Sequence, residues 1–419
     1  MRGKKPSTGL TVALAILTII SFLTGVRSFA QEERVLLNYN GKDGANPYAG
    51  LIANAAGNLY GTTGNGGDYN SGTVFELTPG AGGSWTETVL HSFGSGTDGT
   101  APLGSLVLDA AGNLYGTTLG GGAYGGGTAF ELTPASGGAW TETVIHAFDY
   151  FPDGYSPNGN LIFDSSGNLY GTTEYGGNVD LGTVFELTPA SGGGWTETVL
   201  YFFTNGIDTG AQPVGGLIFD AAGNLYGIAY AGGPGGGGAV FVLRPATGGT
   251  WKETLIHTFA NGHPEDGFDP NGGLVFDASA NLYGTTKFGG GATANCPSGC
   301  GTLYELTPHV GGHWSEKILH HFSDNGTDGY FPNGGLIFGA DTRLYGVTEY
   351  GGSASFCGCG TAFGLTRTTG AEKILHSFAS SRADGIRPQG LVLFYAGNLY
   401  GTTTADGVYG FGTVFEVRP

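Results

Sequence analysis

Basic residues are scarce in this chain. It holds 16 Lys and Arg against 34 Asp and Glu, a formal net charge of −18. Nucleic acid and anionic lipid surfaces are bound by clustered cations, so this deficit excludes both as partners. Helical periodicity is missing as well. No stretch repeats apolar residues every three or four positions, which excludes helix bundles and helical solenoids. Beyond residue 30 no apolar run is long enough to span a bilayer. Charged residues are only 12% of the chain while apolar residues reach 40%, so the composition is not that of a disordered polymer. What is abundant is glycine, 84 of 419 residues, without the three-residue period of collagen. Glycine at this level implies many tight turns and close backbone contacts.

The first thirty residues differ in kind. Arg2, Lys4 and Lys5 precede an apolar run from Leu10 to Val26, and "VRSFAQ" then places small residues at Ser28 and Ala30. That pattern reads as an export signal cleaved after Ala30. An uncleaved membrane anchor is the alternative, since the apolar core is slightly long. Cleavage removes Arg2, Lys4, Lys5 and Arg27 and takes the net charge from −18 to −22. The mature chain is expected to be secreted, periplasmic or displayed on the cell surface, monomeric, and not inserted in a membrane.

The segment "GNLYGTT" occurs at 57–63, 112–118, 167–173 and 397–403, with near-copies elsewhere. Aligning on "LYG" gives seven copies, with Tyr at 60, 115, 170, 226, 283, 345 and 400, spaced by 55, 55, 56, 57, 62 and 55 residues. A period in this range points to a propeller or solenoid. Each copy holds four short β-type segments bounded by turn residues. In the third they are "GNLIFD" (159–164), "NLYGTT" (168–173), "GTVFELTP" (182–189) and "WTETVLYFF" (195–203), here called A, B, C and D. Four strands in about 50 residues make one propeller blade. Tight turns such as "DSSG" and "DAAG" join A to B. Gly61 and its equivalents interrupt strand B, as expected where a side chain would obstruct a neighbouring backbone.

A count of segments predicts how the array closes. There are seven A, seven B and seven C segments, but only six D segments between repeats. The seventh is "ERVLLNY" (33–39), which aligns with "ETVLHSF" (87–93), and the chain ends in a C segment, "GTVFEVRP" (412–419). The fold class is therefore an all-β, seven-bladed propeller over residues 31–419, closed by pairing of the N-terminal strand with the C-terminal one. Closure removes exposed sheet edges.

The repeat "FDAAGNLYGTT…GTVFELTP…WTETVLHSF" resembles the Gloeobacter/Verrucomicrobia tandem repeat of exported bacterial proteins, over residues 33–419. More loosely, "D-x-x-G-N-L-Y" is similar to the hairpin of NHL and gluconolactonase-like propellers. The resemblance implies a propeller and a surface or secreted location, and it brings no assigned activity or catalytic residue. No anchor segment follows Pro419, so the resemblance gives no expectation of covalent surface attachment.

Cysteine is limited to "CPSGC" (Cys296, Cys300) and "CGC" (Cys357, Cys359). An exported chain should have these oxidised. The spacing departs from the paired C-x-x-C knuckles of zinc sites. Disulfides Cys296–Cys300 and Cys357–Cys359 are expected, with a cross-blade pairing such as Cys300 to Cys357 as the alternative.

Sites should lie on the face shared by the long D–A and B–C connections. Every D–A connection carries an Asp (Asp43, Asp98, Asp153, Asp208, Asp266, Asp328, Asp384) with a Pro shortly after. These carboxylates either serve their own turns or form a ring suited to Ca²⁺. The turn role is the more economical for a feature present in every blade, and no other cofactor is expected. His91, His146, His257, His320 and His376 end D strands, with Tyr201 and Leu37 at the same place elsewhere. They lack a local nucleophile and orienting partner and are read as structural. The five Trp that open strand D are expected to cover blade edges. Features that differ among blades are more informative. "EYGG" (Glu174, Tyr175), "KFGG" (Lys287, Phe288) and "EYGG" (Glu349, Tyr350) open three B–C loops, and Tyr48, Tyr155, Phe268, Tyr330 and Phe331 occupy D–A connections. These aromatics either form a platform for a sugar or other flat ligand, or pack on neighbouring loops. Glu174 and Glu349 lie three blades apart, too far for the carboxylate pair of a glycosidase unless both converge on the axis. "GGPGGGG" (232–238) lacks the Lys-Ser/Thr of a phosphate loop.

The expectation is an exported, non-catalytic binding or surface-interaction module for carbohydrate or protein. The alternatives are a polysaccharide lyase or glycoside hydrolase working at the same face, and an architectural envelope protein.

Overall fold

Each repeat folds into one four-stranded antiparallel sheet, and seven such sheets form the molecule. In blade 3 the strands are A (Ile162–Phe163), B (Leu169–Thr173), C (Thr183–Pro189) and D (Trp195–Phe202), hydrogen-bonded in that order. The computed structural model describes residues 33–206, 208–260, 265–353, 357–378 and 383–419. The export signal expected at 1–30 lies outside the described residues. Among the described residues no helix is long and apolar enough to cross a membrane.

Blade 7 takes its D strand from the other end of the chain. Its strands are A (Ile386–Tyr395), B (Asn398–Ala405), C (Thr413–Val417) and D (Glu33–Asn38). Glu33 pairs with Val417, Val35 with Phe415 and Asn38 with Thr413. The backbone N–H of Tyr39 then donates to the Gly412 carbonyl at 3.1 Å. Tyr39 is fully buried and packs edge-on against Phe75 of blade 1, 5.5 Å between ring centroids.

The repeated motif builds its own hydrogen bonds. Asp109 Oδ1 accepts from the N–H groups of Ala111 and Asn113, closing the A–B turn. The Tyr115 hydroxyl donates to Glu131 Oε1 on strand C at 2.8 Å. Thr118 and Thr128 hydroxyls meet across strands B and C at 2.8 Å, fully buried. A buried hydroxyl pair satisfies both groups without water, so the second Thr of "GTT" and the Thr of "GTVF" are chosen together.

Between blades the packing is apolar. Tyr60, Val74, Leu90 and Phe93 of blade 1 form one cluster with Leu114, Phe130 and Leu132 of blade 2. Trp140 of blade 2 packs edge-on against Tyr60, and Trp195 of blade 3 against Tyr115, so each Trp covers the edge of the preceding blade. Gly61 is required by side chains rather than backbone: a Cβ there would lie 2.6 Å from Phe75 and 2.8 Å from Leu51. Near the axis the inner strands touch backbone to backbone. A Cβ on Gly159 would lie 2.1 Å from the Gly215 carbonyl oxygen, and one on Gly215 would lie 1.9 Å from that of Gly272. Cys296–Cys300 and Cys357–Cys359 are the disulfides.

Candidate ligand-binding face

The D–A connections are not free loops. Strand A begins before the expected "GNLIFD" segment, and its first half pairs with an extension of strand B. In blade 5, strand A is Gly267–Phe276 and strand B is Leu282–Gly289, with Phe268 opposite Phe288. In blade 6, Gly329–Pro332 pairs with Leu344–Gly351 and Tyr330 lies opposite Tyr350. In blade 3 a single bridge sets Tyr155 opposite Tyr175. Residues directly opposite on antiparallel strands bring their side chains together on one face. The three pairs stack accordingly: Phe268–Phe288 at 5.4 Å, Tyr330–Tyr350 at 5.6 Å and Tyr155–Tyr175 at 5.4 Å between centroids.

The residue just before each Pro has left-handed backbone in all seven blades: Asn46, Ala101, Ser156, Gln212, Asp269, Phe331 and Arg387, with φ between 53 and 57°. Non-glycine residues avoid this region because Cβ crowds the backbone. The strain is maintained seven times, and the side chains it displays vary from blade to blade. Three of them add contacts on an arc from blade 4 to blade 7. Phe331 packs edge-on against Phe288 at 5.3 Å and against Tyr350 at 6.0 Å, linking blades 5 and 6. The Arg387 guanidinium sits 5.4 Å from the Tyr350 ring centroid. Asp269 accepts a hydrogen bond from the Tyr230 hydroxyl at 3.2 Å.

Charges complete the arc. Lys287 lies 3.7 Å from Glu349 and 6.0 Å from the centroid of Phe288. Glu174 accepts from Asn158 Nδ2 at 2.8 Å. The Tyr175 phenol is pushed up to about 12, first by its hydrogen bond with Glu174 and then by burial. Burial also raises Tyr155, Tyr330 and Tyr350, with nearby carboxylates adding to it, and it raises the Asp269 carboxyl. The aromatic members are half-buried.

The expected site residues thus fall into two groups. Lys287, Phe288, Tyr330, Glu349 and Tyr350 meet in one cluster with Phe268 and Phe331. Glu174, Tyr155 and Tyr175 meet in blade 3, with Tyr150 4.7 Å from Tyr155. Glu174 and Glu349 are held by different partners, Asn158 and Lys287. Arg387, Asp269 and Tyr230 went unnoticed in the sequence. Aligning the blades on the residue before Pro selects the first two.

Six of the seven D–A Asp residues, all but Asp208, sit elsewhere, beside a Glu of strand D at the blade junctions. At five of the seven, a His on strand D of one blade, the Asp, and a Glu on strand D of the next come together. His91 Nε2 and His146 Nε2 lie 2.9 Å from Asp98 and Asp153, and His376 Nε2 lies 3.0 Å from Asp384. His91–Asp98–Glu142, His257–Asp266–Glu316, His320–Asp328–Glu372 and His376–Asp384–Glu33 each bring three ligand-type atoms within 4.8 Å of one another. At the two junctions without His, Asp43 lies beside Glu87, and the Tyr201 hydroxyl donates to Glu253 Oε2 at 2.8 Å. Burial and then the adjacent Asp push Glu142 and Glu197 up to about 7, Glu33, Glu87 and Glu316 to about 8, and Glu372 to about 9. The histidines therefore do have a carboxylate partner, seven to nine residues along the chain.

An open cleft of about 650 Å³ lies on the opposite face between blades 2 and 3, lined by Tyr115, Glu131, Phe163, Asp164 and Trp195. Its polar groups are those of the repeated turn motif, already engaged with one another. It is a product of the blade design rather than of one blade's chemistry.

The Gloeobacter/Verrucomicrobia repeat pattern matches residues 25–218, 138–296 and 217–419. No curated protein matches the chain significantly. Among solved structures, the chain resembles the extracellular domain of a putative hybrid two-component system from B. thetaiotaomicron at 11% identity and a TM-score of 0.54, over 92% of this chain and 39% of that one. The chain thus spans about two-fifths of that relative's length. It also resembles the periplasmic gluconolactonase of Pseudomonas aeruginosa, at 15% identity and a TM-score of 0.51, over 89% and 96% of the two chains. An oligogalacturonate lyase from Vibrio parahaemolyticus aligns at 11% identity and a TM-score of 0.54, over 94% of each. Identities this low establish a shared fold.

Proposed function

The chain belongs to the Gloeobacter/Verrucomicrobia repeat family, and we propose that it is an exported, non-catalytic propeller that binds carbohydrate along the aromatic arc of blades 3 to 7. The observation that carries this reading is the cluster of Phe268, Phe288, Tyr330, Phe331 and Tyr350, flanked by Lys287, Glu349 and Arg387. Half-buried aromatic rings offer flat apolar faces to the C–H faces of sugars, while adjacent charged groups hydrogen-bond hydroxyls. Backbone pairing holds the rings in place, so little ordering entropy remains to be lost on binding. Blades 1 and 2 present Gly64, Asn65, Leu119 and Gly120 at the equivalent B–C positions. That asymmetry leaves room on one side of a crowded wall, as an extended ligand needs.

Export is supported by the apolar segment ending at Ala30 and by two disulfides. The non-catalytic reading is supported by the mouth tyrosines. Tyr155, Tyr175, Tyr330 and Tyr350 all have raised pKa values, the opposite of what a tyrosine base requires.

A glycan array probed with the full chain, with and without Ca²⁺, tests the reading. Selective binding to a polysaccharide class is the expected result. Absence of binding to every glycan overturns it. Shortening of a bound glycan on prolonged incubation would move the assignment to a lyase or hydrolase.

A further inference from the structure

We propose that the junction between blades 5 and 6 is a divalent metal site, with His320, Asp328 and Glu372 as ligands for Zn²⁺ or Mn²⁺. The three residues come from different places. His320 lies on strand D of blade 5 (Trp314–His321), Asp328 in the connection to blade 6, and Glu372 on strand D of blade 6 (Ala371–Ser377). His320 Nε2 is 3.3 Å from Asp328 Oδ2 and 3.6 Å from Glu372 Oε2. A tetrahedral ion with bonds of about 2.0–2.2 Å holds its ligand atoms about 3.3–3.6 Å apart. The imidazole already stands at that spacing from both carboxylates, and all three donors lie within 4.8 Å of one another.

A second observation points to an occupant. The Glu372 side chain is only 10% exposed, and its Oε1 is buried without a hydrogen-bond partner among the described residues. The His320 imidazole stands 3.6 Å from the other oxygen of that carboxylate, Oε2. A buried carboxylate oxygen beside another carboxylate is costly unless a cation or a shared proton sits between them.

The junction between blades 3 and 4 shows how the same place is closed without an ion. Where Tyr201 replaces His, its hydroxyl donates to Glu253 Oε2 at 2.8 Å and the Gly210 N–H donates to Oε1 at 3.0 Å, so that carboxylate is satisfied. At His91 and His146 the imidazole stands closer to its Asp, at 2.9 Å, and Glu142 Oε1 and Glu197 Oε1 are buried without a hydrogen-bond partner there as well. At the blade 5–6 junction the same His–Asp contact is longer, 3.3 Å. One imidazole nitrogen with two carboxylates suits Zn²⁺ or Mn²⁺. Ca²⁺ prefers an all-oxygen shell. His257, Asp266 and Glu316 repeat the donor set at the preceding junction, where Nε2 and Oε1 stand 3.4 Å apart and neither is hydrogen-bonded.

The test uses the full chain, stripped with chelator, and carrying His309→Ala and His313→Ala. Those two rings stack in an exposed turn, 4.9 Å apart, and offer an adventitious imidazole pair. Calorimetric titration with Zn²⁺ and, separately, Mn²⁺ is expected to show saturable binding. Glu372→Gln should lose one equivalent or weaken it by at least about tenfold, comparable to the loss of a supporting ligand contact. Glu253→Gln should leave the titration unchanged. Visible absorption of added Co²⁺ gives a second readout in the chain with Glu372 intact, independent of how the variant folds. Undiminished binding in Glu372→Gln, or neither ion uptake nor Co²⁺ bands, overturns the proposal and leaves the cluster as carboxyl groups sharing a proton.

Discussion

Tyr330 and Tyr350 lie directly opposite each other on antiparallel strands of blade 6, with ring centroids 5.6 Å apart and planes 15° from parallel. Arg387, from blade 7, lies over the Tyr350 ring, 5.4 Å from its centroid. The rings and the cation have separable contributions. Tyr350→Phe keeps the stack and should hold saccharide affinity within a factor of about three, the scale of one exposed hydroxyl contact. Arg387→Ala should weaken acidic saccharides about fivefold or more and neutral ones less, as expected for a partly exposed charge. Parallel titrations with acidic and neutral oligosaccharides check both.

The buried Glu residues at the blade junctions make stability fall as pH rises. Glu87 is the clearest case, since its junction has Leu37 where others have His. Its carboxyl is pushed up to about 8 by burial and then by Asp43. The folded state therefore favours the protonated form. That stabilisation is fully present below the ordinary value of 4.5 and is lost as pH rises through about 8. In the presence of chelator, Tm should drop between pH 5 and pH 9, and Glu87→Gln should make the drop shallower. Thermal melts at four pH values decide it; a variant slope equal to the original contradicts the assignment.

Two glycine-related substitutions should move stability in opposite directions. Gly159→Ala places a Cβ 2.1 Å from the Gly215 carbonyl at a position where φ is not left-handed, so the clash alone acts. It should cost at least about 2 kcal/mol, typical of overpacking against backbone. Ala101→Gly relieves a left-handed residue at φ 54° and should gain about 0.5–1 kcal/mol. Urea denaturation of both variants measures the pair.

Ring closure depends on the first described strand. Tyr39 is fully buried against Phe75 across the blade 7–blade 1 boundary. Tyr39→Ala should cost about 3–5 kcal/mol, the usual range for truncating a buried aromatic. Hydrogen exchange should rise in Glu33–Asn38 and in Thr413–Val417 together, because each supplies the other's ladder.

The wheel was legible in the sequence because its repeat is nearly literal. Tyr60 to Tyr400 count the blades, and the misplaced D segment at 33–39 announces the closure. Contacts between blades were not legible. His320 meets Glu372 across 52 residues, and nothing local marks the Glu of "GAEK" as its partner. The binding face was half legible. Tyr175, Phe288 and Tyr350 stood out as departures from the repeat, but their stacking partners were placed in loops. Strand A was seen to begin at its apolar half, while its first half is Gly- and Pro-rich and carries a left-handed residue, features that suggest a loop by composition. Only the paired register shows that Phe268, Tyr330 and Tyr155 face those rings.

The central claim is that saccharide binds on the blade 5–6 aromatics. Calorimetry with an array-selected oligosaccharide tests it on three chains: the original, Tyr350→Ala, and His309→Ala/His313→Ala on the opposite face. Tyr350→Ala should bind at least about tenfold more weakly, matching the loss of one aromatic contact of about 1.5 kcal/mol, and the histidine pair should bind as the original does. Equal affinity in all three chains would contradict the claim.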